Sequence, residues 1–213
     1  MECAGLEILY TDPEIVVVVK PGGLLAVPGR GPEKLDCLAS RLRQSFPAMI
    51  AQPAVHRLDM YTSGLMVFAV TAEAHRRLSM DFAAGRVDKG YQALVEGEVD
   101  EEQGEIRLPF RLDPERRPLQ IYDPLYGKLG ISRWRRLAVK GCLTRIAFSP
   151  LTGRTHQLRL HAAHPLGMAV PMKGDSLYGL GREGEMMCLH AEKLAFSHPA
   201  SGRRLEFYSA PPF

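Results

Sequence analysis

The chain has 213 residues, of which 46% are hydrophobic and 24% charged, and a net charge of +3. That balance is close to a soluble globular average, so a core of ordinary size forms without disulfide or metal staples. No apolar run approaches the length of a membrane span, and Met1-Glu2-Cys3-Ala4-Gly5 lacks the charged-then-apolar pattern of an export signal.

The first strand is expected over Glu14 to Lys20, where Ile15 to Val19 is an unbroken apolar run, and Pro21-Gly22-Gly23 ends it. Val27-Pro28-Gly29-Arg30-Gly31-Pro32 is a second loop. Leu35, Leu38, Ala39, Leu42 and Phe46 recur at helical spacing and predict an amphipathic helix from Leu35 to Phe46. A polar loop around His56 feeds a strand over Leu65 to Val70. Thr71 is suited to N-cap a helix reaching Ala84, with Leu78 and Phe82 four apart and Gly85 as the stop. Tyr91 to Val95 reads as a strand, and Leu108 to Gly130, rich in proline and glycine, as irregular ribbons. Trp134–Val139 and Leu143–Phe148 pair around Lys140-Gly141. A C-terminal hairpin sets Leu194 and Phe196 against Leu205 and Phe207, with residues 199–202 as its turn. Strands dominate and return as hairpins rather than βαβ units. The expectation is one α+β domain over residues 1–213, with a mixed, mostly antiparallel sheet flanked by helices and loops.

Cys3, Cys37, Cys142 and Cys188 are scattered with no C-x-x-C among them, which indicates neither a zinc knuckle nor a redox pair and suggests a reducing cytoplasm. Cys37 and Cys142 fall in apolar patterns and are expected as small core residues. Charge is uneven: Arg107 to Arg145 holds ten Lys and Arg against Asp113, Glu115 and Asp123, a local net of +7. Arginine outnumbers lysine, 20 to 7, and its planar fork grips phosphate and stacks on bases. Such a segment is either a polyanion footprint or a solvated surface.

Four segments carry chemistry: His56-Arg57-Leu58-Asp59 with Thr62-Ser63-Gly64; Lys89-Gly90-Tyr91-Gln92; Gly153-Arg154-Thr155-His156-Gln157-Leu158-Arg159; and Gly174-Asp175-Ser176-Leu177-Tyr178-Gly179, followed by Leu189-His190-Ala191. Taken singly, Asp59 is a turn carboxylate beside an arginine, Tyr91 a strand aromatic and Arg159 a surface cation. In this order and spacing the set resembles the RluA family of pseudouridine synthases, over nearly the whole chain, including Lys20-Pro21-Gly22-Gly23.

That resemblance implies a cofactor-free, metal-free enzyme that isomerises uridine in RNA by detaching, turning and rejoining the base. It makes Asp59 the catalytic aspartate, Arg159 the cation that pairs with it, and Tyr91 the active-site phenol. Arg57 takes the space left by an extruded uridine, and His56, Arg154 and Gln157 are expected to face RNA. Because a strand begins at Glu14, no separate RNA-binding domain is expected ahead of it. The chain therefore looks like the stand-alone RluA type, which acts on a stem-loop of large-subunit ribosomal RNA and on the anticodon stem-loop of tRNA. A cytoplasmic monomer is the default expectation. The stretch His161 to Gly174, Lys173 and Gly127–Ser132 depart from the usual pattern, which bears on substrate choice more than on catalysis. His161 and His164 form a possible helical pair, but no regular ligand set accompanies them. A hydrolase would need a second carboxylate; Asp175 is the one motif-borne candidate, and the resemblance makes it structural.

Overall fold

The computed structural model describes residues 5–213 in full and the backbone of Glu2 and Cys3. The N-terminal pattern Met1 to Ala4, Cys3 included, otherwise lies outside the described residues. In chain order the elements are β1 (Glu2–Cys3), β2 (Leu6–Thr11), β3 (Ile15–Lys20), α1 (Leu38–Ser45), β4 (Ser63–Ala69), α2 (Ala72–Ala83) and β5 (Asp88–Glu96). They continue as β6 (Gln103–Leu112), β7 (Gln120–Tyr122), β8 (Lys128–Lys140), β9 (Leu143–Pro150), α3 (Gln157–Ala163), β10 (Leu189–Ser197) and β11 (Arg204–Tyr208). No helix among the described residues is long and apolar enough to cross a membrane.

The backbone groups into two compact units. The first comprises the chain up to Lys89 with His190–Pro212. Its strand order is β1-β2-β3-β4-β10, with β11 on β10. β3 runs antiparallel to β4, whereas β4 and β10 are parallel, so this sheet is mixed. Ile15, Val17, Leu65, Val67, Leu78 and Phe196 form its core under α2. The expected hairpin is present in the expected register, Leu194 opposite Phe207 and Phe196 opposite Leu205. Thr71 caps α2, its Oγ1 accepting the Ala74 N–H at 3.1 Å, and Gly85 follows at φ +70°.

α1 starts three residues later than its apolar spacing suggested. The N–H groups of Leu38 and Ala39 are taken by the carbonyls of Leu25 and Ala26, at 2.8 and 3.1 Å, which fixes the first turn there. Cys37 is buried, but it also caps: its sulfur accepts the Ser40 N–H while the Ser40 hydroxyl accepts the Cys37 N–H. Leu35 is left exposed, outside the helix. β2 pairs with β3 and was not foreseen, because Leu6–Thr11 lacks a long apolar run.

The second unit, Gly90–Leu189 with Phe213, is built on an antiparallel sheet in the order β5-β9-β8-β6-β7. Here the reading of 108–130 as irregular is corrected. Gln103–Leu112 is one strand, and Ile106, Leu108 and Phe110 alternate inward to a small core with Leu160. Pro109 does not break it, and its carbonyl accepts the Asp123 N–H at 3.0 Å. Cys142 is exposed at the tip of the β8–β9 hairpin rather than in a core.

Gly64 sits where β4 meets β10. Its φ is +113°, and a β-carbon there would overlap the backbone of Ala191, its partner in the parallel ladder. We expect Gly64→Ala to lower unfolding free energy by about 2 kcal/mol or more, combining strain with the loss of this contact. Urea denaturation measures it; an unchanged midpoint would show that the ladder yields at no cost.

Candidate active site

In the first unit the Asp59 loop is tied down on three sides. Upstream, Pro53 O accepts the Ala69 N–H at 2.9 Å, and Ala54 bridges Phe68, so the segment runs beside β4. Two residues on, the His56 ring replaces the backbone: Nε2 accepts the Val67 N–H at 3.1 Å, and the ring stacks on Phe82 of α2 at 4.5 Å. Burial, with Lys89 nearby, pushes the imidazole down to about 3, so it remains a neutral acceptor. With its acceptor nitrogen engaged within the fold, His56 positions the loop, while its ring stays partly exposed. Downstream, the Ser63 Oγ lies 2.8 Å from His190 Nδ1, and Nε2 of that ring reaches the Ser209 carbonyl at 3.1 Å. Ser63-Gly64 and His190-Ala191 are thus two halves of one joint.

From below, Lys20 holds the same loop. It is 0% exposed, and Nζ donates to the carbonyls of Pro21, Leu24 and Met60 at 2.7, 2.8 and 2.9 Å. All three donors of an ammonium are used, which is how a buried cation is tolerated. Burial lowers its pKa to about 7, with the charge of Asp59 acting in the opposite direction. Sequence reasoning quoted Lys20 as part of a motif but gave it no role. The signal was available: a lysine closing the apolar run Ile15 to Val19, just before Pro-Gly-Gly, has little chance of reaching water. Asp59 is half-buried in this loop, and its carbonyl accepts the Thr62 N–H at 3.1 Å. Arg57, two residues before it, is exposed.

In the second unit, Arg159 is buried in α3. Its guanidinium grips Asp175 through two parallel bonds, Nε to Oδ2 at 2.8 Å and Nη2 to Oδ1 at 2.6 Å. Asp175 Oδ1 also accepts the N–H groups of Leu177 and Tyr178, at 2.9 and 3.1 Å. Burial alone would raise the Asp175 carboxyl, but the Arg159 fork and these two N–H groups together hold it below its ordinary value. Ionised and engaged at both oxygens, it is unsuited to act as a proton donor, which removes the motif-borne candidate for a second acid–base carboxylate.

The ring of Tyr178 lies 5.3 Å from the Arg159 guanidinium carbon. Its hydroxyl accepts the Gln120 N–H at 2.7 Å and lies 2.9 Å from Nδ1 of His156, a residue held at φ +56°. Tyr91, half-buried on β5, is opposite Phe148 of β9. Arg154 is exposed.

The RNA-facing expectation for Gln157 is corrected. Its Oε1 accepts from the Thr152 hydroxyl (2.7 Å) and the Arg154 N–H (3.0 Å). Its Nε2 donates to Ile131 O (3.0 Å) and Ser132 Oγ (2.8 Å). Buried and fully satisfied, it locks the loop before α3 to β8.

The proposed histidine pair does not form. α3 ends at Ala163 and His164 is already extended, with ψ 139°. His161 instead lies buried edge-on against Phe110, its pKa lowered to about 4 by burial. Among the described residues no group of three or more His, Cys, Asp or Glu is arranged to hold a metal.

A family model described as RNA pseudouridylate synthase matches residues 14–164. The dual-specificity RNA pseudouridine synthase RluA of Haemophilus influenzae is 40% identical over 212 residues, covering 98% of this chain and 94% of that protein. Its namesake in Pasteurella multocida is 42% identical over 211 residues, covering 97% and 93%. Among solved structures, human RNA pseudouridylate synthase domain containing 1 is similar with a TM-score of 0.78 at 27% identity, covering 100% of this chain and 86% of that one.

Asp175→Asn leaves the Arg159 charge buried opposite a neutral amide. The expected loss is about 3–5 kcal/mol in urea unfolding at neutral pH. Because the folded pKa is depressed, the carboxylate's contribution is complete above about pH 4 and fades as pH falls through the folded value. The gap between parent and variant should therefore close in acid; a gap constant from pH 7 down to the acid transition would contradict this.

Proposed function

Given that the chain belongs to the RluA family of RNA pseudouridine synthases, we propose that its substrate is a uridine in a structured stem-loop, of large-subunit ribosomal RNA, of the tRNA anticodon arm, or of both. The enzyme is an isomerase: the bond from N1 of uracil to C1′ of ribose breaks, a bond from C5 to C1′ forms, the C5 proton leaves to solvent, and N1 ends protonated. Two substrates are favoured by the dual specificity in the names of its relatives from H. influenzae and P. multocida.

In this reading Asp59 supplies the anion that glycosidic cleavage requires. Tyr91 offers a stacking face and a hydroxyl to the uracil, and Arg159 supplies the cation of the reaction centre. The base of a stacked helix is out of reach, so the target uridine is extruded, and the exposed Arg57 fills the gap with its guanidinium plane. Arg154, also exposed, meets the RNA backbone. The observation that carries the reading is the immobilisation of the Asp59 loop. Lys20, His56, Ser63 and Gly64 all serve to hold one short segment, and a turn with no chemistry to perform needs no such scaffold. A pure RNA-binding module would need the basic segment but not this frame.

The whole of residues 1–213 acts as the catalytic domain, without cofactor or metal, as a monomer in the cytoplasm. Free Cys37, Cys142 and Cys188 suit a reducing compartment.

Asp59→Asn should abolish tritium release from RNA containing 5-tritiated uridine while RNA binding, measured by filter retention, survives. Activity of the parent should withstand dialysis against EDTA. Full tritium release by the variant would remove Asp59 from its role, and release of free uracil would point to hydrolysis instead.

A further inference from the structure

The turn between β7 and β8 displays two large apolar side chains that serve no purpose in the fold. Leu125 is 81% exposed and Tyr126 78% exposed. A loose loop would explain this at once, but the turn is tightly built. The Asp123 N–H donates to Pro109 O at 3.0 Å, and its own carbonyl accepts the Gly127 N–H at 3.0 Å. Its Oδ1 accepts the N–H groups of Leu125 and Tyr126, at 3.0 and 2.9 Å, and its other oxygen takes Nε of Arg111. At the base of the turn the Tyr122 ring leans on that of His164, 5.2 Å away. A rigid turn that points apolar groups outward is organised for a partner rather than for a core.

Two features of its surroundings say which partner. First, the turn lies within the basic segment that carries a local net of +7, and Lys128, two residues on, is exposed. Second, it is continuous with the Arg159 cluster. β7 is the edge strand of its unit, and its first residue, Gln120, donates its N–H to Tyr178, whose ring faces Arg159. Tyr126 is six residues beyond Gln120, so the chain places it on the order of 20 Å from that contact at most. That is the reach of the nucleotides flanking a target base. An aromatic face with an exposed lysine two residues on suits unpaired, stacked bases and the phosphates that join them, a combination a protein partner would not call for.

We propose that Tyr126 is a stacking platform for an unpaired base of the substrate stem-loop, outside the uridine being isomerised, with Leu125 beside it and Lys128 on the adjoining phosphate. The proposal rests on the RNA substrate assigned above. It gives the enzyme a means of reading loop shape from within the catalytic domain, since a face that accepts any base recognises where a loop is unpaired rather than which base it holds.

The test uses the full chain and a stem-loop transcript carrying 5-tritiated uridine. Tyr126→Ala should raise KM roughly tenfold, with the loss in KM rather than kcat, and Tyr126→Trp should restore it. Lys128→Gln should reduce the slope of log KM against log salt by about one. Both side chains are on the surface, and thermal unfolding should confirm unaltered folding. A Tyr126→Ala enzyme with the parent's KM would overturn the platform and leave the turn to a protein partner. If the parent itself forms no pseudouridine on any RNA, the substrate assignment fails instead, and the two failures are told apart in one assay.

Discussion

A buried charge is tolerated only when every hydrogen-bonding position on it is answered, and that constraint organises both units of this protein. Asp175 shows it most completely. One carboxylate accepts both arms of the Arg159 fork and two backbone N–H groups, while its main-chain carbonyl takes the N–H groups of Gly179 and Gly181. The whole loop from Gly174 to Gly181 is wrapped around one acid. Arg159 therefore cannot drift, and neither can Tyr178 against it. A surface pair of the same residues would be worth little and would position nothing.

Lys20 is the counterpart in the first unit, with the polarity reversed: a cation surrounded by three carbonyls instead of an anion surrounded by donors. One of those carbonyls belongs to Met60, the residue after Asp59. The Asp59 segment is thus held through the backbone of its neighbour. His56 achieves the same end by acting as a neutral acceptor for a β4 N–H group. A protonated imidazole would lose that bond, and burial prevents protonation. Rigidity here comes from polar groups with one possible arrangement, not from apolar packing, which tolerates sliding.

Legibility in the sequence followed the range of the interaction. Elements set by local pattern were readable: β3 from its valine run, α2 from Thr71 and the Leu78–Phe82 spacing, and the terminal hairpin to its register. Where local pattern and breaker residues conflicted, the breakers misled. Ile106, Leu108 and Phe110 alternate plainly, but Pro109 and the glycines beyond made the region look irregular; Pro109 lies just outside the three residues paired with β7, where a proline costs a strand little. α1 began late because Leu25 and Ala26, a dozen residues upstream, took its first N–H groups.

By itself the sequence determined the family and the α+β class, and it nominated the groups proposed to do chemistry, since motif spacing and two-residue or helical periodicity are properties of the chain alone. Tertiary structure decided which of the motif's polar residues face outward and which are structural. Gln157 and His56 are quoted in the same motifs as Arg154 and Arg57, yet the former pair is spent on backbone and hydroxyl partners and the latter pair is exposed. No spacing rule separates them. The difference lies in whether a distant strand, β8 or β4, arrives with an unanswered donor or acceptor, and that is settled only when the sheets are assembled.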